Sequence, residues 1–242
     1  MSKISPQVLE KLRRFDTPTV CNLIELFEVR PRDGGFMDAR IRACFPEMPP
    51  VVGFAATATF RASAPPRQGD AYASVAGQVE RFAELSGPPL IVFQDLDDPP
   101  VAATFGEVMC TTYQTFGALG LITSGAGRDL DQVRAIGFPV FTDGSICAHG
   151  YCHVLHVHVP VHVGGLAVYP DDLIHADLNG VTTMPHDITA ELADIGDEYV
   201  AAEGVILEAL RSGSPSLKAY REALSEAQTR MARLRARVSR AR

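Results

Sequence analysis

Lysine is almost missing from this 242-residue chain: Lys3, Lys11 and Lys218 are its only lysines, and all lie near the ends. No lysine of the core is therefore available to form an imine with a carbonyl substrate. No apolar run approaches the length needed to span a bilayer, and the opening Met-Ser-Lys-Ile-Ser-Pro has no signal-peptide apolar stretch. The expectation is a cytoplasmic protein without membrane contact. Cysteine is sparse and scattered. Cys21, Cys44, Cys110, Cys147 and Cys152 are odd in number and contain no Cys-x-x-Cys pair, which predicts reduced thiols and does not fit the ligand spacing of a structural zinc site. Gly125-x-Gly127 lacks both a third glycine and the downstream ribose acid, so a dinucleotide loop is excluded. Nothing reads as a methyltransferase pocket.

What is present suits a globule with a sizeable core: 46% of residues are hydrophobic and 21% charged. The net charge of −7 is unevenly placed. From Ser214 onward eight Lys/Arg stand against two Glu, which leaves −13 on residues 1–213. An acidic body argues against nucleic acid as the main partner, because phosphate contacts need a basic face.

Residues 5–14 and 17–27 read as helices, the second opened by Asp16-Thr17-Pro18 with proline in its first turn. Val51 to Phe60 reads as a strand, Asp70 to Leu85 as a helix and Leu90 to Phe93 as a buried strand. A short helix at 130–136 and a strand at Pro139–Phe141 follow. Along Tyr151 to Val163, parity puts Leu155, Val157, Val159, Val161 and Val163 on one face and His156, His158, Pro160 and His162 on the other. The histidines invite a metal reading. The plainer one, a polar sheet face, is preferred, because no further ligand is identifiable nearby. Gly164–Tyr169, Leu173–Asp177 and Val181–Met184 read as strands, the last two joined at Asn179-Gly180.

The expected fold class is thus α/β with a mixed or barrel-like β core and C-terminal helices. Residues 1–186 would form the core domain and 187–242 a helical extension packing on it or on a neighbouring subunit. Asp187 would cap a helix running to Arg211, and Ser214-Pro215 would start another. In that last helix Leu217, Tyr220, Leu224, Ala227, Met231, Leu234 and Val238 form a heptad seam, which points toward contact between subunits.

The chemistry concentrates between Gly106 and Asp129. Residues 107–118 have helical character, with Val108, Met109, Thr112 and Phe116 on an inner face, and Leu119–Thr123 is a short apolar strand. The Gly125-Ala-Gly127 turn would take positive φ and let Arg128 and Asp129 project from the strand end. Glu107, Arg128 and Asp129 would then meet at one site. A structural Arg–Asp pair is the competing reading.

Gly106-Glu107, Gly120-Leu-Ile-Thr-Ser-Gly-Ala-Gly-Arg128-Asp129, Gly137-Phe-Pro-Val-Phe141, Pro160-Val161 with Gly164-Gly165, and the run from Tyr169 to Val181 resemble the RraA-like family over roughly residues 15–210. That family includes 4-hydroxy-4-methyl-2-oxoglutarate aldolases and regulators of ribonuclease activity. Glu107, twenty residues and then Arg128-Asp129 resembles its aldolase spacing. Ser124, Asn22, Asp171 and Glu107 depart from the residues usual there, which bears on the substrate more than on the fold.

The resemblance implies a swivelling β/β/α-type sandwich, a homotrimer or hexamer with sites between subunits, and a divalent metal, magnesium or else manganese. It implies class II pyruvate-aldolase chemistry on a small oxo-acid, with oxaloacetate decarboxylation by the same enolate route. Asp129 would bind the metal directly and Glu107 through a water, with Glu107 also positioning or accepting the hydroxyl proton. Arg128 would bond the keto oxygen, and the Val108 and Met109 amides the substrate carboxylate. An acid from a neighbouring subunit's C-terminal helix is implied as well. Glu203 is the best match through a water, then Asp197 and Glu198. The alternatives are a non-catalytic regulator that binds a ribonuclease or another protein, and a lyase for a different oxo-acid.

Overall fold

The computed structural model describes residues 4–67, 71–213 and 215–241. Lys3, and the helix starts read at Asp70 and Ser214, lie outside the described residues. In chain order the elements are α1 (Pro6–Leu12), α2 (Thr17–Phe27), β1 (Arg42–Ala43), β2 (Val51–Arg61), α3 (Ala71–Glu80), β3 (Pro89–Asp95), β4 (Ala103–Phe105), α4 (Glu107–Thr115), β5 (Leu121–Thr123) and β6 (Ala126–Gly127). There follow α5 (Leu130–Ala135), β7 (Val140–Thr142), β8 (Gly144–Ser145), β9 (His153–Val157), β10 (Val161–Val163), β11 (Leu166–Val168), β12 (Leu173–Asp177), β13 (Gly180–Met184), α6 (Thr189–Arg211) and α7 (Leu217–Val238).

The main sheet runs β1-β7-β5-β3-β2-β12-β13, with β9 also paired to β2. Its centre is parallel and its flanks antiparallel, so the sheet is mixed and curls toward a nearly closed barrel. β2 explains why the middle is dry. All but the last of its 11 residues are buried, because side chains alternate between two apolar layers. Ala56, Ala58 and Phe60 join the layer that holds Cys110 and Tyr113 of α4. Val51 and Ala55 turn the other way, toward Val161 and Val163 of β10. A third apolar cluster joins α1, α2, α6 and the end of α7 around Phe15, Leu23, Phe27, Leu192 and Leu234.

Asp16 caps α2 as expected, accepting from the Thr19 N–H at 2.8 Å. The β12–β13 hairpin forms, with Asp177 opposite Gly180. Asp171 holds φ 70 and anchors Ser86 N–H at 2.7 Å and Ser86 Oγ at 2.6 Å. Short polar side chains tolerate that left-handed backbone better than others do.

Four expectations are corrected. The strand read through 151–163 is two strands, broken at His158, whose φ is 53. A register shift at Thr59/Phe60 then reverses the expected parity in β9: Val154 is buried and Leu155 exposed. Histidines 156, 158 and 162 consequently diverge, to Thr59, to Glu84 and to solvent, and among the described residues no group of three or more His, Cys, Asp or Glu could hold a metal. In α4 the inner face is Cys110 and Tyr113, while Val108 and Phe116 are exposed, because the sheet lies beneath the opposite stripe. Asp187 does not cap α6. A turn closed by the Ile188 N–H on the Pro185 carbonyl delays the helix to Thr189. The α7 seam packs on α6 and α2 of its own chain, burying Ala227, Leu234 and Val238 and leaving Leu217 exposed. Among the described residues no helix is long and apolar enough to cross a membrane.

A buried polar relay ties α3 and α4 to the sheet: Tyr113 Oη donates to Gln78 Oε1 at 2.6 Å, and Gln78 Nε2 to the Ala56 carbonyl at 2.9 Å. Tyr113→Phe strands the glutamine oxygen in an apolar layer and should cost about 1–3 kcal/mol. Urea unfolding followed by circular dichroism checks this. An unchanged midpoint would show that the relay contributes nothing.

Candidate active site

Three short strands carry the candidate site. β4, β6 and β8 pair in parallel, with Phe105 opposite Gly127 and Gly127 opposite Ser145. Parallel pairing brings successive chain exits to one end. β4 leaves through Gly106 into α4, and β6 leaves through Arg128-Asp129 into α5.

The glycines of the 125–127 turn serve close packing. Neither has positive φ, contrary to the reading from sequence. A Cβ on Gly127 would stand 2.2 Å from the Phe105 ring, and one on Gly125 would stand 2.0 Å from Thr104 Oγ1. The left-handed residue is Asp129 itself, at φ 53 and ψ 38, a conformation that costs a non-glycine residue about 1 kcal/mol or more.

Asp129 sits at the start of α5 yet gives that helix no side-chain hydrogen bond. Its carboxylate reaches back to the neighbouring helix instead, where Oδ2 accepts from the Glu107 N–H at 3.1 Å. Gly106 permits the approach, since a Cβ there would lie 2.6 Å from Oδ2 and 3.2 Å from Arg128 Nε. Arg128 is held by its backbone, N–H to the Phe105 carbonyl at 3.1 Å, with Nε 3.8 Å from Asp129 Oδ2. At that separation, with side chains 30% and 37% exposed, the pair adds little to stability. The Arg128 Nη groups have no partner among the described residues.

Glu107 is exposed beside this pair, and its carboxylate likewise has no partner among the described residues. The amides of Val108 and Met109 find no acceptor there either, whereas Cys110 N–H is the first to bond back, to Gly106. The geometry therefore gathers Glu107, Arg128, Asp129 and two open amides. It does not bring in the C-terminal acids within one chain. Glu203 accepts from Tyr199 Oη at 2.9 Å, Asp197 pairs with Lys11 and Arg14, and Glu198 pairs with Arg237. As for a metal, the donors at the site are two carboxylates beside a cradle that a Cβ would fill. That suits a hard cation such as magnesium, which takes one or two carboxylates and keeps several waters.

One residue went unnoticed in the sequence. Asp95 ends β3, and burial pushes its carboxyl up to about 6, with Asp97 adding to the shift. Thr104 Oγ1 donates to it at 3.4 Å and the Asp97 N–H at 3.0 Å, while its own N–H donates to Ser124 Oγ at 3.0 Å. Its side chain lies under Gly125, so it props the turn that leads to Arg128. The only signal was an acid closing the apolar run Leu90–Phe93, which is common at strand ends.

The family model described as RraA-like, Aldolase/RraA, matches residues 17–183. The chain belongs to the RraA-like family. Among its relatives, a Halalkalibacterium halodurans protein provisionally named a 4-hydroxy-4-methyl-2-oxoglutarate aldolase is 26% identical over 138 residues, 57% of this chain and 66% of that protein. The chain spans less than two thirds of the curated relatives it matches. In fold it is similar to an uncharacterized protein from Pseudomonas syringae, with a TM-score of 0.71 at 22% identity over 91% of this chain and 95% of that one. It is also similar to Streptomyces coelicolor RraAS2, an unusual member of the RNase ES inhibitor RraA family, with a TM-score of 0.67 at 21% identity over 84% and 97%. The mixed sheet with C-terminal helices is thus the RraA-like fold. The family spans aldolases and ribonuclease regulators.

Asp95 supplies a pH test. Its folded value lies above 3.8, so its contribution to stability is whole below about 4 and is lost as pH rises through about 6. Asp95→Asn should lack this component. Urea midpoints measured from pH 4 to 7 should fall for the natural protein relative to the variant, and parallel curves would contradict the assignment.

Proposed function

We propose that this protein is a divalent-metal-dependent lyase that cleaves a 4-hydroxy-2-oxo diacid to pyruvate by retro-aldol chemistry, and that it decarboxylates oxaloacetate by the same route. The reading is carried by one observation: the Glu107–Asp129 contact over Gly106, beside which the Arg128 Nη groups and the Val108 and Met109 amides have no partner among the described residues. Asp129 would hold magnesium or manganese, with Glu107 on a water of its shell, and the bound ion supplies electrophilic charge for an enolate-forming cleavage.

The remaining roles fall to this chain's own groups. The Val108 and Met109 N–H groups, at the positive end of α4, orient the carboxylate next to the keto group. Arg128 donates to the keto oxygen and strengthens that bond as the oxygen gains charge. Glu107, directly or through a water, takes the proton of the 4-hydroxyl. The O–H electron pair becomes the carbonyl of the departing oxo-acid, the pair of the breaking C3–C4 bond forms the enolate with its charge on the keto oxygen, and the proton taken by Glu107 or its water returns to C3 to complete pyruvate. No imine is needed, in keeping with the absence of lysine between residues 12 and 217. Glu203 would act from a neighbouring copy in a homotrimer or hexamer.

A lactate dehydrogenase-coupled assay tests the reading. Pyruvate release from 4-hydroxy-4-methyl-2-oxoglutarate should require magnesium, and Asp129→Ala should lower kcat by roughly 100-fold to 1,000-fold. Gly106→Ala, which drives a methyl group into the Asp129 carboxylate, should lower it about tenfold or more in a folded protein. Metal-independent turnover or full activity in Asp129→Ala rejects the mechanism. A complete lack of pyruvate, together with capture of a ribonuclease, would make the protein a regulator instead.

A further inference from the structure

Away from the site, α2, the loop after it and the tip of the β12–β13 hairpin enclose a cleft of about 270 Å³. It shares no residue with the Glu107–Asp129 cluster. At its wall Arg30 lies half-buried, its guanidinium spread on the backbone of Gly35, where a Cβ would stand 2.0 Å from Nη1 and φ is 88. Nη1 donates to the Thr183 carbonyl at 2.9 Å and to Thr183 Oγ1 at 3.3 Å, and Nη2 donates to Thr182 Oγ1 at 3.0 Å. All three acceptors are neutral. Among the described residues no carboxylate lies within ion-pair range of Arg30, and nothing accepts from its Nε.

A half-buried guanidinium held by neutral groups keeps its charge uncompensated, and burial pulls its proton affinity below the ordinary arginine value. The strand occupies the Nη1–Nη2 end of the fork. Nε has no acceptor among the described residues, and Nη2 carries a second hydrogen beyond the one given to Thr182, so the two together can meet a planar carboxylate in two parallel hydrogen bonds. Nearby acids have other partners: Glu25 pairs with Arg32 at 3.4 Å, and Asp177 accepts from the Thr17 N–H at 2.9 Å. Cys21 on the same wall stays a neutral thiol, because burial raises it. Two arginines against one glutamate leave the lining at +1, and Ile24, Phe36, Met37 and Val181 make the rest largely apolar.

We propose that this cleft binds a small organic carboxylate, gripped by the Nε–H and Nη2–H of Arg30, with its apolar body against Ile24, Phe36, Met37 and Val181. Inorganic phosphate fits the site less well. A doubly charged anion needs several donors, and the α2 amides of Thr17 and Thr19 are already taken by Asp177 and Asp16.

Isothermal titration of the full chain with isobutyrate, and separately with inorganic phosphate, tests this. The expected result is one isobutyrate per chain with a dissociation constant of about 1 mM or tighter. Arg30→Lys keeps the charge but loses the fork, and should weaken binding about tenfold or more. Cys21→Met fills the cleft while keeping the Arg30 side chain itself, and should abolish binding in a variant whose folded state is confirmed by its thermal midpoint. Asp129→Ala should bind isobutyrate as the natural protein does, which separates this site from the proposed lyase centre. Four results overturn the proposal: no heat up to about 10 mM, binding of phosphate but not isobutyrate, equal binding by Arg30→Lys, or loss of binding in Asp129→Ala.

Discussion

The carboxylate of Asp129 faces the wrong helix, and the architecture of the site follows from that. A residue at the head of α5 would ordinarily cap α5. Here a left-handed backbone turns it away, and its Oδ2 takes the Glu107 N–H at the start of α4. Two helices that leave adjacent parallel strands are thereby joined at their first turns, with Gly106 between them, where a Cβ would lie 2.6 Å from Asp129 Oδ2. The same contact sets Arg128 and Glu107 near each other, with the Arg128 Nη groups and the Glu107 carboxylate unpartnered among the described residues.

Such a contact needs a firm floor. The turn between β5 and β6 is wedged against Asp95 and Thr104, and Phe105 fills the space over Gly127. Asp95 belongs to β3, which pairs in parallel with β2, buried in all but its last residue. Strain at Asp129 is therefore held next to the buried centre of the sheet, as expected where the surroundings over-determine a strained residue. The Arg30 cleft rests on β13, an end strand of the main sheet, and is built on another logic: a cation fastened by neutral oxygens through Nη1 and Nη2, with Nε given no acceptor among the described residues.

Much of this could be read along the chain. Period and punctuation located α1, α2, β2, β3, β5 and the β12–β13 hairpin, because Asp16-Thr17-Pro18 and Asn179-Gly180 act over a few residues. Glu107, Arg128 and Asp129 could be grouped because each stands at the mouth of a short element. Misreadings arose where a distant partner decides. Val108 and Phe116 look like an inner stripe until the sheet is seen to lie under Cys110 and Tyr113. The histidine row of 153–163 dissolves because a bulge opposite Thr59 and the reversal at His158 turn consecutive side chains apart. Asp187 loses its cap because Ile188 is drawn into the core.

By itself the sequence determined which segments bury, where the backbone can turn, and that no lysine could serve as a covalent carbonyl-binding group in the core. Those properties are local or compositional, carried by hydrophobic period, turn chemistry and residue count. Only the tertiary structure decided that the 125–127 glycines are spacers, that Asp129 caps a helix other than its own, that Asp95 lies beneath them and that Arg30 Nε is left without an acceptor among the described residues. Each of these depends on what a side chain meets across the sheet, and such meetings join residues far apart in the chain whose spacing leaves no periodic trace.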